Sequence, residues 1–79
     1  MELSVSYFAL YRDVTGSDTE AVSTEASTPA ELFAECQARY PGLERFEASL
    51  VAINDEMASW EAPLSRGDRV LFFPPVAGG

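Results

Sequence analysis

The 79-residue chain contains no histidine, no lysine and only one cysteine, Cys36. Without histidine, the sequence excludes histidine-based catalytic triads, His-Cys zinc sites and an imidazole base that titrates near pH 7. Without lysine, no side-chain amine is present to form a Schiff base or an isopeptide bond. The lack of lysine fits an arginine-favouring genome or a salt-adapted surface, or the protection of an activated terminus from nearby amines. One cysteine excludes an internal disulfide, which is typical of a reducing compartment.

Long apolar runs are also missing. No segment approaches the roughly 18 consecutive apolar residues of a membrane span, and residues 1–4 lack the basic start of a signal peptide. We therefore expect a cytoplasmic protein without a membrane partner. Thirteen acidic residues against five arginines give a net charge of -8, which repels nucleic acid and favours a basic docking surface on a protein partner. The length fits one small domain.

The first half of the chain predicts two strands and a helix. Alternating apolar residues over 2–11 indicate a strand, residues 12–18 a turn, and residues 19–24 a second strand that completes a hairpin. Thr28, Pro29 and Glu31 then supply an N-cap, a proline at the first helical position and a capping-box glutamate. The helix places the apolar Leu32, Phe33, Cys36 and Tyr40 on one face and ends at Pro41-Gly42.

The second half of the chain predicts strands only. The apolar run 50–53, a turn at Asn54-Asp55 and a short segment at 57–60 form a second hairpin. Residues 65–68 form a tight turn, and residues 69–73 form a final strand. We expect an α+β fold of ββαββ order, with one main helix on a mixed sheet whose first and last strands are central, parallel neighbours.

The composition changes after Phe73. Two prolines cannot donate backbone hydrogen bonds and favour an extended course, so the strand is predicted to end there. We expect a domain over 1–73 and an extended, flexible tail over 74–79, which consists of Pro74, Pro75, Val76, Ala77, Gly78 and Gly79. Six residues at about 3.3 Å each reach about 20 Å. Glycine has no side chain and therefore fits a narrow channel. The carboxylate of Gly79 is suited to activation by ATP. This chain has no nucleotide-binding loop, so we expect another protein to carry out the activation.

Strand alternation also predicts an exposed apolar patch. If Leu3, Val5 and Tyr7 face the helix, Phe8 and Leu10 face the opposite side of the sheet. The same parity on the last strand turns Leu71 and Phe73 outward. We expect Phe8 and Phe73 to form one patch beside the tail, as at protein interfaces. Cys36 is expected to be a packed core thiol.

The chain ends in Phe-Pro-Pro-Val-Ala-Gly-Gly at 73–79, after Phe72. With this ending, and with the segments 7–9, 52–54, 63–64 and 66–68, the whole chain resembles the small subunit of molybdopterin synthase. The ending is the most specific part of the resemblance. It implies a ubiquitin-like β-grasp fold and a sulfur-carrier role in molybdenum cofactor biosynthesis. Gly79 is then adenylated with ATP by an E1-like enzyme, converted to a thiocarboxylate and used to donate sulfur to precursor Z.

The resemblance further implies where the catalytic groups lie. They belong to the large subunit, so this chain is a sulfur donor that binds no cofactor or metal of its own. Met57 joins Phe8 and Phe73 as an expected interface residue, and the assembly is expected to be a heterotetramer. Three alternatives stay open: a sulfur carrier for thiamine or tRNA thiolation, a ubiquitin-like protein modifier, and a passive binding module whose tail has no role.

Overall fold

A computed structural model describes residues 1–75 of the chain. The elements of this part are β1 (Glu2–Tyr7), α1 (Leu10–Thr15), β2 (Thr19–Ser23), α2 (Pro29–Arg39), β3 (Leu50–Ile53), β4 (Glu56–Ala58) and β5 (Arg69–Phe73). The helix α1 is an addition to the predicted ββαββ order, and the short segment predicted at 57–60 is the strand β4, which pairs with β3 as the predicted hairpin.

The strands form one mixed sheet in the order β2-β1-β5-β3-β4. Strands β1 and β5 are parallel and central, with Val5 opposite Val70. The other neighbours are antiparallel, and Val51 of β3 lies opposite Phe72 of β5. The prediction that the first and last strands are central parallel neighbours is confirmed.

Local sequence signals set the start of α2. Thr28 has extended backbone angles, and its hydroxyl accepts a hydrogen bond from the amide of Glu31 at 3.3 Å. The Glu31 carboxylate accepts in turn from the amide and the hydroxyl of Ser27, each at 2.8 Å. These contacts form a capping box displaced by one residue, and they satisfy amide groups that a helix start leaves free.

The core lies between α2 and one face of the sheet. The buried side chains of α2 are Leu32, Phe33 and Cys36, and those of the two central strands include Val5, Tyr7, Val70 and Phe72. Phe33 meets Phe72 edge to face, with ring centroids 4.9 Å apart, in the geometry that aromatic pairs prefer. The prediction that Cys36 is a packed core thiol is confirmed.

The predicted strand over 2–11 is wrong beyond Tyr7. Strand β1 ends there because Ala9 has φ 51° and ψ -119°, outside the strand region. The amide of Tyr11 donates to the carbonyl of Phe8 at 3.0 Å, which closes a turn, and α1 replaces the rest of the predicted strand and most of the predicted turn at 12–18. Tyr11 is nevertheless buried, as the strand pattern required.

The two later turns match their sequence signals. Asn54 and Asp55 both have positive φ, 52° and 70°, as a two-residue hairpin turn between β3 and β4 requires. Gly67 has φ 84° in the turn before β5, where a residue without a Cβ is favoured. Within residues 1–75, no helix is long and apolar enough to cross a membrane.

Candidate functional site

The face of the sheet opposite α2 has a polar half and an apolar half. On β1 and β2 this face carries Ser4, Ser6 and Thr19, and the hydroxyls of Ser6 and Thr19 are hydrogen-bonded at 2.9 Å. On β5 and β3 the same face carries Leu71 and Ala52, which lie opposite each other. A docking partner that seeks apolar surface therefore has only one half of this face to use.

The apolar half continues into a groove of ≈ 640 Å³ at the end of the sheet where β1 and β5 finish. All nine residues that line it are apolar: Phe8, Ala9, Leu10, Ala48, Leu50, Met57, Phe73, Pro74 and Pro75. Four of these side chains are at least half exposed, at 55% for Phe8, 50% for Leu10, 52% for Leu50 and 59% for Met57. Such a concentration of exposed large hydrophobic side chains indicates an interface.

Phe8 and Phe73 form one wall of the groove. Their ring centroids are 5.5 Å apart, and the amide of Phe8 donates to the carbonyl of Phe72 at 3.2 Å. The two residues thus belong to neighbouring strand ends, and the sequence-based expectation that they share one patch agrees with this contact. Met57 enters the same groove from β4, the edge strand on the other side.

The chain leaves the sheet at this groove. Pro74 is buried and Pro75 is half-buried, and both line the groove directly after β5. Val76, Ala77, Gly78 and Gly79 lie outside the described residues. The roles assigned from the sequence to the groove residues and to the tail, like the division of the chain into 1–73 and 74–79, stay predictions at this point.

The composition of the groove limits its chemistry. None of its lining side chains is an acid, a base or a nucleophile, so the groove itself has no group for proton transfer or covalent catalysis. Within residues 1–75, no group of three or more His, Cys, Asp or Glu side chains is placed to hold a metal ion. The arrangement suits the docking of another protein beside the emerging chain end.

The core side of β5 carries an aromatic stack. Trp60 lies parallel to Phe72, with centroids 5.7 Å apart and planes 6° apart, and its indole N–H donates to the carbonyl of Ser49 at 3.2 Å. The guanidinium of Arg45 lies 4.0 Å from the centroid of the Trp60 ring, in a cation–π contact. Trp60 therefore packs against the core beside Phe72.

A polar cluster lies away from the groove, between α2 and the β1-β2 hairpin. The hydroxyl of Tyr7 donates to the Glu20 carboxylate at 2.6 Å and lies 3.3 Å from Sγ of Cys36. The same carboxylate accepts from Tyr40 at 3.1 Å and pairs with Arg39 at 3.4 Å. Burial raises the pKa of the Cys36 thiol and, together with its hydrogen-bonded neighbours, raises the pKa of Tyr7. The Cys36 thiol and the Tyr7 hydroxyl therefore keep their protons near neutral pH, and the contacts of this cluster are structural.

The chain carries an excess of negative charge. Three of the five arginines form ion pairs with carboxylates, at 3.5 Å for Arg12–Asp18, 3.4 Å for Arg39–Glu20 and 2.8 Å for Arg69–Asp55. The charge of -8 is therefore carried mainly by carboxylates outside these pairs. A partner with a basic surface around an apolar contact is electrostatically favoured.

Sequence reasoning missed three groove residues: Ala9, Ala48 and Leu50. Leu50 opens the apolar run of β3, and only its position opposite Phe73 places it at the groove. Ala9 was assigned to a strand interior, whereas its positive φ ends the strand. The local pattern gives no signal for either outcome. The place of Leu50 depends on the pairing of β3 with β5, and the positive φ of Ala9 has no sequence signature.

Known proteins resemble this chain over its whole length. The ThiS family model matches residues 5–79. The molybdopterin synthase sulfur carrier subunit of Escherichia coli is 34% identical, with 98% of this chain and 99% of the relative aligned.

Solved structures share the fold. SAMP1 from Haloferax volcanii superimposes with a TM-score of 0.84 at 26% identity, covering 100% of both chains. A chain in the protein–protein complex of subunits 1 and 2 of the molybdopterin-converting factor from Helicobacter pylori superimposes with a TM-score of 0.67 at 26% identity, again covering 100% of both chains. The prediction of an α+β, ubiquitin-like β-grasp fold is confirmed.

Proposed function

The chain belongs to the ThiS family, and from this membership we propose that it is the sulfur-carrier subunit of molybdopterin synthase. The observation that carries the proposal is the position of the apolar groove. The groove lies where β5 ends and where the last four residues, ending in Gly78-Gly79, continue the chain. A partner docked there lies within about 14 Å of extended chain from the carboxylate of Gly79.

The proposed reaction takes place at Gly79. An E1-like enzyme joins the carboxylate to the α-phosphate of ATP and releases pyrophosphate. A sulfur nucleophile then attacks the acyl carbon, and AMP leaves. Where the nucleophile is a persulfide, the product is an acyl disulfide, and a thiol reduces its S–S bond to free the thiocarboxylate. A thiocarboxylic acid is a stronger acid than a thiol, so at neutral pH the group is the thiocarboxylate anion without the help of a neighbouring base. The groove of this chain contains no base, and the proposed sulfur-carrier role does not require one.

The large subunit of the synthase is the proposed acceptor partner. The solved complex from Helicobacter pylori contains both subunits of a molybdopterin-converting factor, and its smaller chain shares the fold described here. In our proposal the large subunit binds the groove, takes the tail into its active site and transfers the sulfur to precursor Z. The assembly is a heterotetramer, it works in the cytoplasm, and its catalytic side chains lie on the large subunit.

A ubiquitin-like modifier is the second candidate function. It is favoured by the similarity to SAMP1 from Haloferax volcanii. The abbreviation stands for small archaeal modifier protein 1. In that case the activated Gly79 carboxyl forms an amide with a lysine of another protein instead of accepting sulfur. The two functions share the activation step and differ in the nucleophile that follows it.

Reconstitution separates these functions. The chain is incubated with ATP, the cognate E1-like enzyme and a sulfide source, and then with the large subunit and precursor Z. We expect molybdopterin to form in proportion to the chain supplied, and a variant lacking Gly79 to form none. Adenylation without molybdopterin, combined with Gly79–lysine peptides in digests of cell protein, contradicts the carrier role and supports the modifier.

A further inference from the structure

The turn between β1 and α1 contains a strained residue in the wall of the groove. Ala9 has φ 51° and ψ -119°, values that glycine adopts readily at the first central position of a hairpin-type turn and that a residue with a Cβ adopts at a cost. Its side chain lines the groove between Phe8 and Leu10. Glycine would fit this backbone without strain, so the methyl group of Ala9 lowers the stability of this turn.

Contacts on both sides hold the strained turn in place. Before it, the amide of Phe8 donates to the carbonyl of Phe72 in β5 at 3.2 Å. After it, the ring of Tyr11 is buried, and its hydroxyl donates to the carbonyl of Glu44 at 2.6 Å and lies 2.7 Å from Oγ of Ser49. Strained backbone persists where the surrounding structure over-determines it, and it is concentrated at functional sites.

The turn decides where two large apolar side chains point. Phe8 and Leu10 flank Ala9 and are both at least half exposed, whereas Tyr11 turns into the core. Residues with a Cβ have fewer accessible backbone states than glycine. An alanine in this position therefore restricts the turn that carries both side chains and adds its own methyl group to the groove.

We propose that Ala9 is a positioning residue of the docking site. It fixes Phe8 and Leu10 in the arrangement that the large subunit binds, at the expense of the stability of the free chain. This inference rests on the proposed function, because it takes the groove to be the binding surface for that subunit. It predicts effects of opposite sign on folding and on binding for one substitution.

The test compares two glycine substitutions at positive-φ positions. Ala9→Gly relieves the strain in the groove wall, and Asp55→Gly, the control, relieves a positive φ in the β3-β4 turn, outside the groove lining. Asp55→Gly also removes the exposed Arg69–Asp55 ion pair and one negative charge, so all titrations are run at high salt, where an exposed charge contributes little to binding. We expect Ala9→Gly to raise the denaturant midpoint of the free chain and to weaken binding to the large subunit about fivefold, through the lost methyl contact and the freer turn. Asp55→Gly is expected to leave this affinity unchanged.

Calorimetric titration of the large subunit with each full-length variant gives the answer. An Ala9→Gly affinity equal to wild type, a lower denaturant midpoint for Ala9→Gly, or an equal loss of affinity in Asp55→Gly overturns the inference. If the wild-type chain itself does not bind the large subunit, the proposed function fails, and that result is distinct from unchanged binding by Ala9→Gly.

Discussion

Two acidic groups, the Cys36 thiol and the Tyr7 phenol, are removed from water in the core. Both are almost fully buried, and their polar atoms lie 3.3 Å apart. Burial is the main reason why both pKa values are raised above their ordinary values of 9.0 and 10.0, because the anionic forms lose hydration. A thiol held protonated is a weak nucleophile, so Cys36 does not compete for sulfur in the chemistry that we propose at Gly79.

This burial predicts a loss of stability in alkaline solution. In the unfolded chain the thiol ionises near its ordinary pKa of 9.0, whereas in the folded chain it keeps its proton to higher pH. Between the pKa of the unfolded chain and the higher pKa of the folded chain, the unfolded state binds fewer protons than the folded state. The free energy of unfolding therefore falls as the pH rises through this range. Urea unfolding at about pH 7 and about pH 10 measures the difference.

A cysteine variant isolates the contribution of the thiol. Cys36→Ala removes one ionisable group from the buried pair and is expected to reduce the alkaline loss of stability, although its stability at neutral pH is lower because of the cavity. Equal stability of the wild type at both pH values, or an identical pH dependence in the variant, contradicts the assignment.

Helix α2 shows how far local signals determine an element. Its start depends on Thr28, whose hydroxyl accepts a hydrogen bond from the amide of Glu31, and on Pro29 at the first helical position. Both signals act within one turn of helix, so no tertiary information is needed to locate them. The helix in turn supplies Leu32 and Phe33 to the core that supports the groove from beneath.

Removal of the cap is expected to destabilise the protein measurably. Thr28→Ala leaves the Glu31 amide without its side-chain acceptor and is predicted to lower the free energy of unfolding by about 1 kcal/mol. Thr28→Ser, which keeps a hydroxyl acceptor, is the control and should stay close to wild type. Urea denaturation at neutral pH checks both, and an undisturbed midpoint for Thr28→Ala shows that the cap contributes nothing.

The elements that sequence reasoning predicted correctly are those with local start, end and alternation signals. These include β2, α2, the β3-β4 hairpin and β5, together with the parallel pairing of β1 and β5. The end of β1 was not predictable, because the alternation runs on to Tyr11 and that residue is buried in α1 just as it would be in a strand. The deciding feature, a positive φ at an alanine, has no sequence signature.

The candidate site was predictable in the same uneven way. The outward direction of Phe8 and Phe73 follows from strand parity alone, and their contact at 5.5 Å agrees with it. Leu50 and Ala48 were not predictable, because their place at the groove depends on the register between β3 and β5. A run of four apolar residues such as 50–53 indicates a buried strand without identifying its exposed member.

At the scale of the whole molecule, the hydrophobic core and the proposed docking groove lie on opposite faces of one sheet. One face packs against α2, and the apolar half of the other ends in the groove beside Pro74 and Pro75. The polar half of that face, on β1 and β2, leaves a docked protein a single region of apolar contact. The net charge of -8 favours a partner with a basic surface.

Matched charge insertions on the two edge strands test this division. Met57→Glu places a carboxylate in the groove from β4, whereas Ala21→Glu places one on the polar half from β2; both positions are exposed. Burying an unpaired carboxylate is costly, so Met57→Glu is expected to weaken binding to the large subunit at least about tenfold, or about 1.4 kcal/mol. Ala21→Glu is expected to change it less than about twofold.

Calorimetric titration of the large subunit compares the two variants with wild type. Comparable losses of affinity in Met57→Glu and Ala21→Glu would show that added charge, and not the groove, weakens the complex. Intact binding by Met57→Glu would place the interface elsewhere on the chain.

The most direct test of the carrier role is the intact mass of the protein isolated from its native host, with fragmentation of the C-terminal peptide. We predict a species in which one oxygen of the Gly79 carboxylate is replaced by sulfur, and its increase when the chain is supplied with ATP, a sulfur source and its activating enzyme. An unmodified carboxylate under both conditions contradicts the account.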